Sequence, residues 1–78
     1  MKVVVTEYKT INGKPYKLEL IENIIPDSNH LWAKFYKQVD GAWSEIKSVK
    51  AIGSNSGPDK YDRNARATWI LIESDQFL

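Results

Sequence analysis

Two dipeptides, Asn12-Gly13 and Asp40-Gly41, each stand near the middle of one half of the first fifty residues. A two-residue loop of type I′ needs positive φ at both central residues, and Asn-Gly and Asp-Gly reach that conformation at little cost. Each dipeptide therefore predicts a tight β-hairpin and fixes its register. Across the first turn Ile11 faces Lys14, and counting outward pairs Glu7 with Leu18, Val5 with Leu20, Val4 with Ile21 and Val3 with Glu22. One face then carries Val3, Val5, Tyr16, Leu18 and Leu20. The other carries Thr6, Tyr8, Lys17 and Glu19, with Val4 and Ile21 at its far end. Pro15 has no amide proton to donate, so the start of the second strand is expected on a sheet edge.

The second turn sets Val39 opposite Ala42, Gln38 opposite Trp43, Tyr36 opposite Glu45, Phe35 opposite Ile46, Lys34 opposite Lys47 and Trp32 opposite Val49. A three-residue loop with a bulge would instead put Phe35 against Glu45, which favours the tighter loop. Leu31, Ala33, Phe35, Val39, Ala42 and Ile46 form the expected core face. Trp32, Lys34, Tyr36, Gln38, Trp43, Glu45, Lys47 and Val49 share the opposite one. A helix over 43–52 is the competing reading, because Trp43, Ile46 and Val49 recur at helical spacing.

Beyond these hairpins lies "GSNSGPDKYDRNAR", residues 53–66, the one long connection. Ser56 or Gly57 before Pro58 and Asp59 fits a helix N-terminus, and Tyr61 and Ala65 are four apart, so a short helix near 58–66 is a second alternative. After it "ATWILIE" has apolar residues in both alternating registers, as a central strand covered on both sides would. The tail "SDQFL" ends on Phe77 and Leu78, which have no assigned docking site. Strands at 2–11, 15–24, 31–39, 42–50 and 67–73 predict a mainly β fold, a small five-stranded antiparallel barrel or curled sheet. The alternative is an α+β fold with one helix near 43–52 or 58–66.

Seventy-eight residues make one domain, 1–78, close to the size at which a chain buries only about 60–65% of its unfolded surface. Self-association would ease that limit. Without cysteine there is no disulfide scaffold and no thiolate metal site. "MKVVV" carries an apolar run too short for a signal peptide, and "ATWILI" is far below the roughly 20 residues of a membrane span, so an intracellular, cytoplasmic and soluble protein is expected. Eleven basic side chains against ten acidic ones lack the large excess of proteins held to DNA by phosphate contacts. The mildly positive part is residues 31–50, with four lysines and two acids.

Catalysis finds little support. His30, the only histidine, sits with Asp27 and Ser28 in "PDSNHL", but three groups in four consecutive loop positions do not converge as a nucleophilic triad must, and these are ordinary turn formers. Asp59 and Asp62 lack the glycine and terminal glutamate of a calcium loop. No phosphate-binding or dinucleotide glycine pattern is present. The expectation is a protein that is not an enzyme and has no metal and no cofactor.

The binding candidates are Trp32, Lys34, Tyr36, Trp43 and Lys47 on the aromatic face, with Lys60, Arg63 and Arg66 in the long connection. Residues 31–49 hold four of the nine aromatics. Exposed aromatics with polar neighbours have the composition of protein interface hot spots. The same rings beside lysines offer what single-stranded nucleic acid needs, flat surfaces for bases and ammonium groups for phosphates. Lys34 and Lys47 directly opposite each other would repel, which an anionic partner relieves. The expected function is a small binding module acting through protein contacts, a regulator, inhibitor or subunit of a larger assembly, able to self-associate. Single-stranded nucleic-acid binding by the same face is the alternative, and no membrane partner is expected.

Overall fold

The computed structural model describes residues 2–25, 28–50 and 57–74, with side chains at all of these except 23–25 and 28–29. Four antiparallel strands, β1 (Lys2–Ile11), β2 (Lys14–Ile25), β3 (Ser28–Val39) and β4 (Ala42–Lys50), form one open sheet in the order β1-β2-β3-β4, followed by a helix, α1 (Lys60–Ser74). The fold is thus mainly β, as expected, but it is a four-stranded sheet with a C-terminal helix. Both hairpins turn where the dipeptides place them. Asn12 and Gly13 have φ of 53° and 77°, and Asp40 and Gly41 have 52° and 82°, which is the type I′ pattern.

The fifth strand expected at 67–73 is helical, and 43–50 is strand rather than helix. Of the two helical alternatives, the one near 58–66 marks where α1 begins. The Asp59 carbonyl accepts the Arg63 amide at 3.0 Å, and the Asp59 carboxylate accepts from the Arg63 guanidinium. Asp59 thus stands just before the first helical residue, where the macrodipole favours an acid, with its carboxylate held by the Arg63 side chain. The tail that ends on Phe77 and Leu78 lies outside the described residues.

Two bulges alter the expected registers. Near the first turn the pairing is as predicted up to Val5–Leu20, but Val3 then pairs with Ile21 and Lys2 with Glu22, leaving Val4 as the extra residue. In the second hairpin Tyr36–Glu45 holds, whereas Phe35 pairs with Lys47, Lys34 with Ser48, Ala33 with Val49 and Trp32 with Lys50. Ile46 is the extra residue there. A bulge lets neighbouring apolar residues reach one side of the sheet, and it brings Val4 with Val5, and Ile46 with Val49, against the core. Pro15 lies on an interior strand, contrary to the edge expectation, but the β2–β3 ladder starts at Tyr16, so the missing donor interrupts no pair with β3.

The core forms where α1 crosses one side of the sheet. Tyr16, Leu18 and Leu20 of β2 and Leu31, Ala33 and Phe35 of β3 bury against Ala65, Trp69 and Ile72. Val39 and Ala42, expected in the core, are exposed near the second turn, and Val3 is exposed on the far side because of the first bulge. Among the described residues, four polar contacts tie the helix down. Trp69 Nε1 donates to Glu7 at 2.9 Å, Lys9 pairs with Glu73 at 2.9 Å, and Glu22 receives both the Tyr61 hydroxyl at 2.7 Å and Lys60 at 3.0 Å.

Glu22 is buried, yet its carboxyl is held below the ordinary 4.5, chiefly by the Tyr61 hydrogen bond and then by Lys60. A depressed folded-state pKa contributes stability that is complete above the unfolded value and lost as pH falls through the folded one. Urea midpoints followed by circular dichroism are therefore expected to drop between pH 7 and pH 3, and Glu22→Gln should flatten that drop. An unchanged pH profile in Glu22→Gln would show that this contact does not set it.

Candidate interaction face

The sheet side opposite α1 is set by continuous pairing across all four strands. Three rows cross it. Val3, Ile21, Trp32 and Lys50 form the first; Thr6, Glu19, Lys34 and Ser48 the second; Tyr8, Lys17, Tyr36 and Glu45 the third. Trp43, opposite Gln38, lies beyond the third row toward the turn. Among the described residues no element packs on this side. Tyr8 is 66% and Trp32 38% exposed, so both present ring surface to solvent on this side.

The rings are organised rather than scattered. Tyr8 on β1 and Trp43 on β4 approach with centroids 5.7 Å apart and planes tilted by 45°, so side chains from the two edge strands lean inward across the central pair. The Lys17 ammonium sits 4.4 Å from the Tyr36 ring centroid and 5.4 Å from that of Trp43. Such cation–π contacts are worth about 0.5–1 kcal/mol at exposed sites. The Tyr36 hydroxyl donates to Glu19 at 2.6 Å, and Lys34 pairs with Glu45 at 3.5 Å. Burial, then the Glu19 hydrogen bond, pushes the Tyr36 phenol above its ordinary value, so it stays a neutral donor.

Trp32, Lys34, Tyr36 and Trp43 thus share one face, as the sequence implies. Lys47 does not join them. The bulge at Ile46 sets it in register with Phe35, on the side α1 occupies, and Ser48 takes the place opposite Lys34. The like-charge repulsion expected between Lys34 and Lys47 is therefore absent, and Val49 also leaves this face. Lys50 arrives beside Trp32 instead. Tyr8 and Lys17 join because the β2–β3 ladder fuses the two hairpins, which neither hairpin pattern reveals alone.

Lys60, Arg63 and Arg66 are on α1, across the sheet from these rings. Lys60 is committed to Glu22 and Arg63 to Asp59. Arg66 lines a shallow depression of about 230 Å³ with Glu7, Asp62, Ala65 and Trp69. A flat partner on the aromatic face cannot touch these cations. A second depression, about 360 Å³, lies between Lys14, Pro15, Tyr16, Lys37, Gln38 and Val39 and contains no carboxylate, thiol or imidazole.

Among the described residues no three His, Cys, Asp or Glu side chains cluster as metal ligands would. Asp27 and the Ser28 side chain lie outside the described residues, while His30 pairs with Asn23 in the β2–β3 ladder. No helix of the described residues is long and apolar enough to cross a membrane. Comparison with protein families, with curated proteins and with solved structures finds no match.

Proposed function

We propose that the chain is a non-enzymatic binding module whose open sheet face makes protein contacts. The observation that carries this reading is the collection of Tyr8, Trp32, Tyr36 and Trp43 on the side that α1 leaves uncovered. Rigid rings bury much area for little conformational entropy, and interfaces concentrate Trp and Tyr for that reason. The charges nearby favour a protein over a polyanion. Lys17, Lys34 and Lys50 stand among Glu19 and Glu45, and Lys34 is already paired, so the face has little net field for phosphates.

Single-stranded nucleic acid is the second reading, favoured by the placing of Lys17 between ring faces and Lys50 beside Trp32. The two differ in salt response. Titrating with short DNA and RNA at about 50 mM and about 200 mM salt should leave tryptophan fluorescence flat under the first reading, whereas saturating quenching that fades at the higher salt belongs to phosphate contacts.

The double substitution Trp32→Ala with Trp43→Ala is expected to keep the fold, since neither ring belongs to the buried core, and to abolish partner binding. Circular dichroism checks the first half and a pull-down the second. An unfolded double variant would make these residues core and end the binding-face reading.

A further inference from the structure

The three rows of the open face differ in pattern, and the second pairs acid with base about its centre. From edge to edge they read apolar, apolar, aromatic, basic; then hydroxyl, acid, base, hydroxyl; then aromatic, base, aromatic, acid. Consider a second copy laid face to face, related by a two-fold axis that runs parallel to the strands between β2 and β3. Such an axis exchanges β2 with β3 and β1 with β4 while keeping each row in place. Glu19 then faces Lys34 of the second copy, and Lys34 faces its Glu19. Ile21 faces Trp32, Thr6 faces Ser48 and Val3 faces Lys50, each contact occurring twice, while in the third row the Tyr8 and Trp43 rings already lean over Lys17 and Tyr36 of their own copy. An axis running across the strands through the second row would instead stack Glu19 on Glu19 and Lys34 on Lys34.

We infer that the partner of this face is a second copy of the chain, in an isologous dimer about that axis. The inference rests on the protein-contact reading above and names its partner. A two-fold interface must be complementary to itself, which the second row, acid on base and hydroxyl on hydroxyl, and the Ile21–Trp32 contact of the first provide. Stacked sheets align within about 30°, so the central β2 and β3 positions stay matched despite sheet twist. Four strands spaced about 4.8 Å apart, over nine residues rising about 3.3 Å each, give a footprint of roughly 500–600 Å² per copy, so about 1,100 Å² is buried in all, enough for a specific but modest dimer. A net charge of +1 opposes association only weakly.

The test is sedimentation equilibrium of the full chain from about 1 to about 300 μM, a range that brackets a micromolar dimer. The wild type should dimerise. Glu19→Lys and Lys34→Glu should each raise the dissociation constant at least about tenfold, because the axis then sets like charges together twice, and the two changes combined should recover most of the loss. Circular dichroism establishes that each variant is folded, and the wild-type series stands without any variant. A dimer indifferent to both single exchanges, or a combined variant no tighter than the weaker single one, would overturn the proposed geometry. A wild type that is monomeric throughout would overturn the dimer. In that event, salt-sensitive quenching by oligonucleotides would also sink the protein-contact reading, while a flat response would leave it standing with a different protein on the face.

Discussion

Replacing Phe35 by alanine is expected to cost about 3–5 kcal/mol, a large share of the stability of so small a domain. Phe35 is 1% exposed, sits on the interior strand β3 between Leu18 of β2 and Lys47 of β4, and meets Trp69 of α1 edge to face at 5.5 Å and 70°. It joins sheet to sheet neighbour and sheet to helix at one point. A buried phenylalanine truncated to alanine costs about 3–5 kcal/mol, and an edge-to-face pair carries about 0.5–1.5 kcal/mol beyond the area it buries. A domain of 78 residues has about 4–12 kcal/mol in total, at roughly 0.05–0.15 kcal/mol per residue. Urea titration followed by far-ultraviolet circular dichroism should show the folded baseline shortened or gone. A loss below about 1 kcal/mol, the size expected of an ordinary surface change, would mean that α1 is not seated on the sheet through this ring pair.

The hairpins were legible because turn chemistry is local. Asn12-Gly13 and Asp40-Gly41 dictate positive φ regardless of what the strands later pack against, and the pairs nearest each turn follow from them. The bulges were not legible, because their cause is tertiary. Ile46 and Val49 are three residues apart, so an unbroken strand puts them on opposite sides, and only a helix covering one side makes it worthwhile to bring both there. That one displaced residue also decides the candidate face, since it removes Lys47 and admits Lys50. Four of the five site residues predicted on the aromatic ribbon share that face. Nothing in either hairpin showed that Tyr8 and Lys17 would join them, because the β2–β3 contact is set by the shared core of Leu18, Leu20, Ala33 and Phe35.

The helix was misread for a different reason. Over "ATWILIE" alone the alternation fits a strand, and the helical stripe emerges only over the longer window holding Tyr61, Ala65, Trp69 and Ile72. Two buried polar residues obscure it further. Asn64 Nδ2 donates to the Lys60 carbonyl at 2.8 Å and Thr68 Oγ1 to the Asn64 carbonyl at 2.5 Å, so each faces the sheet with its polar group satisfied one turn back. Helix propensity in this segment is ordinary, with β-branched and aromatic residues in its second half. Packing of one face, rather than propensity, stabilises the helix.

That distinction makes the contrast between Ile70 and Ile72 decisive. Two residues apart on a strand means the same face, whereas two apart on a helix means about 200° of rotation. Ile72 is 0% exposed and Ile70 59%. Ile72→Ala is therefore expected to cost about 2–5 kcal/mol, through lost burial and the cavity left among core residues, while Ile70→Ala should stay within about 0.5 kcal/mol. Both are read from urea midpoints under identical conditions. Equal losses would restore the strand reading of 67–73. They would also uncover the side of the sheet that α1 now occupies, and with it the reason for calling the Trp32 face the open one. The unequal result fixes 67–73 as helix with Ile72 on its buried stripe, and the Phe35–Trp69 contact seats that stripe on the side away from the Tyr8, Trp32, Tyr36 and Trp43 rings.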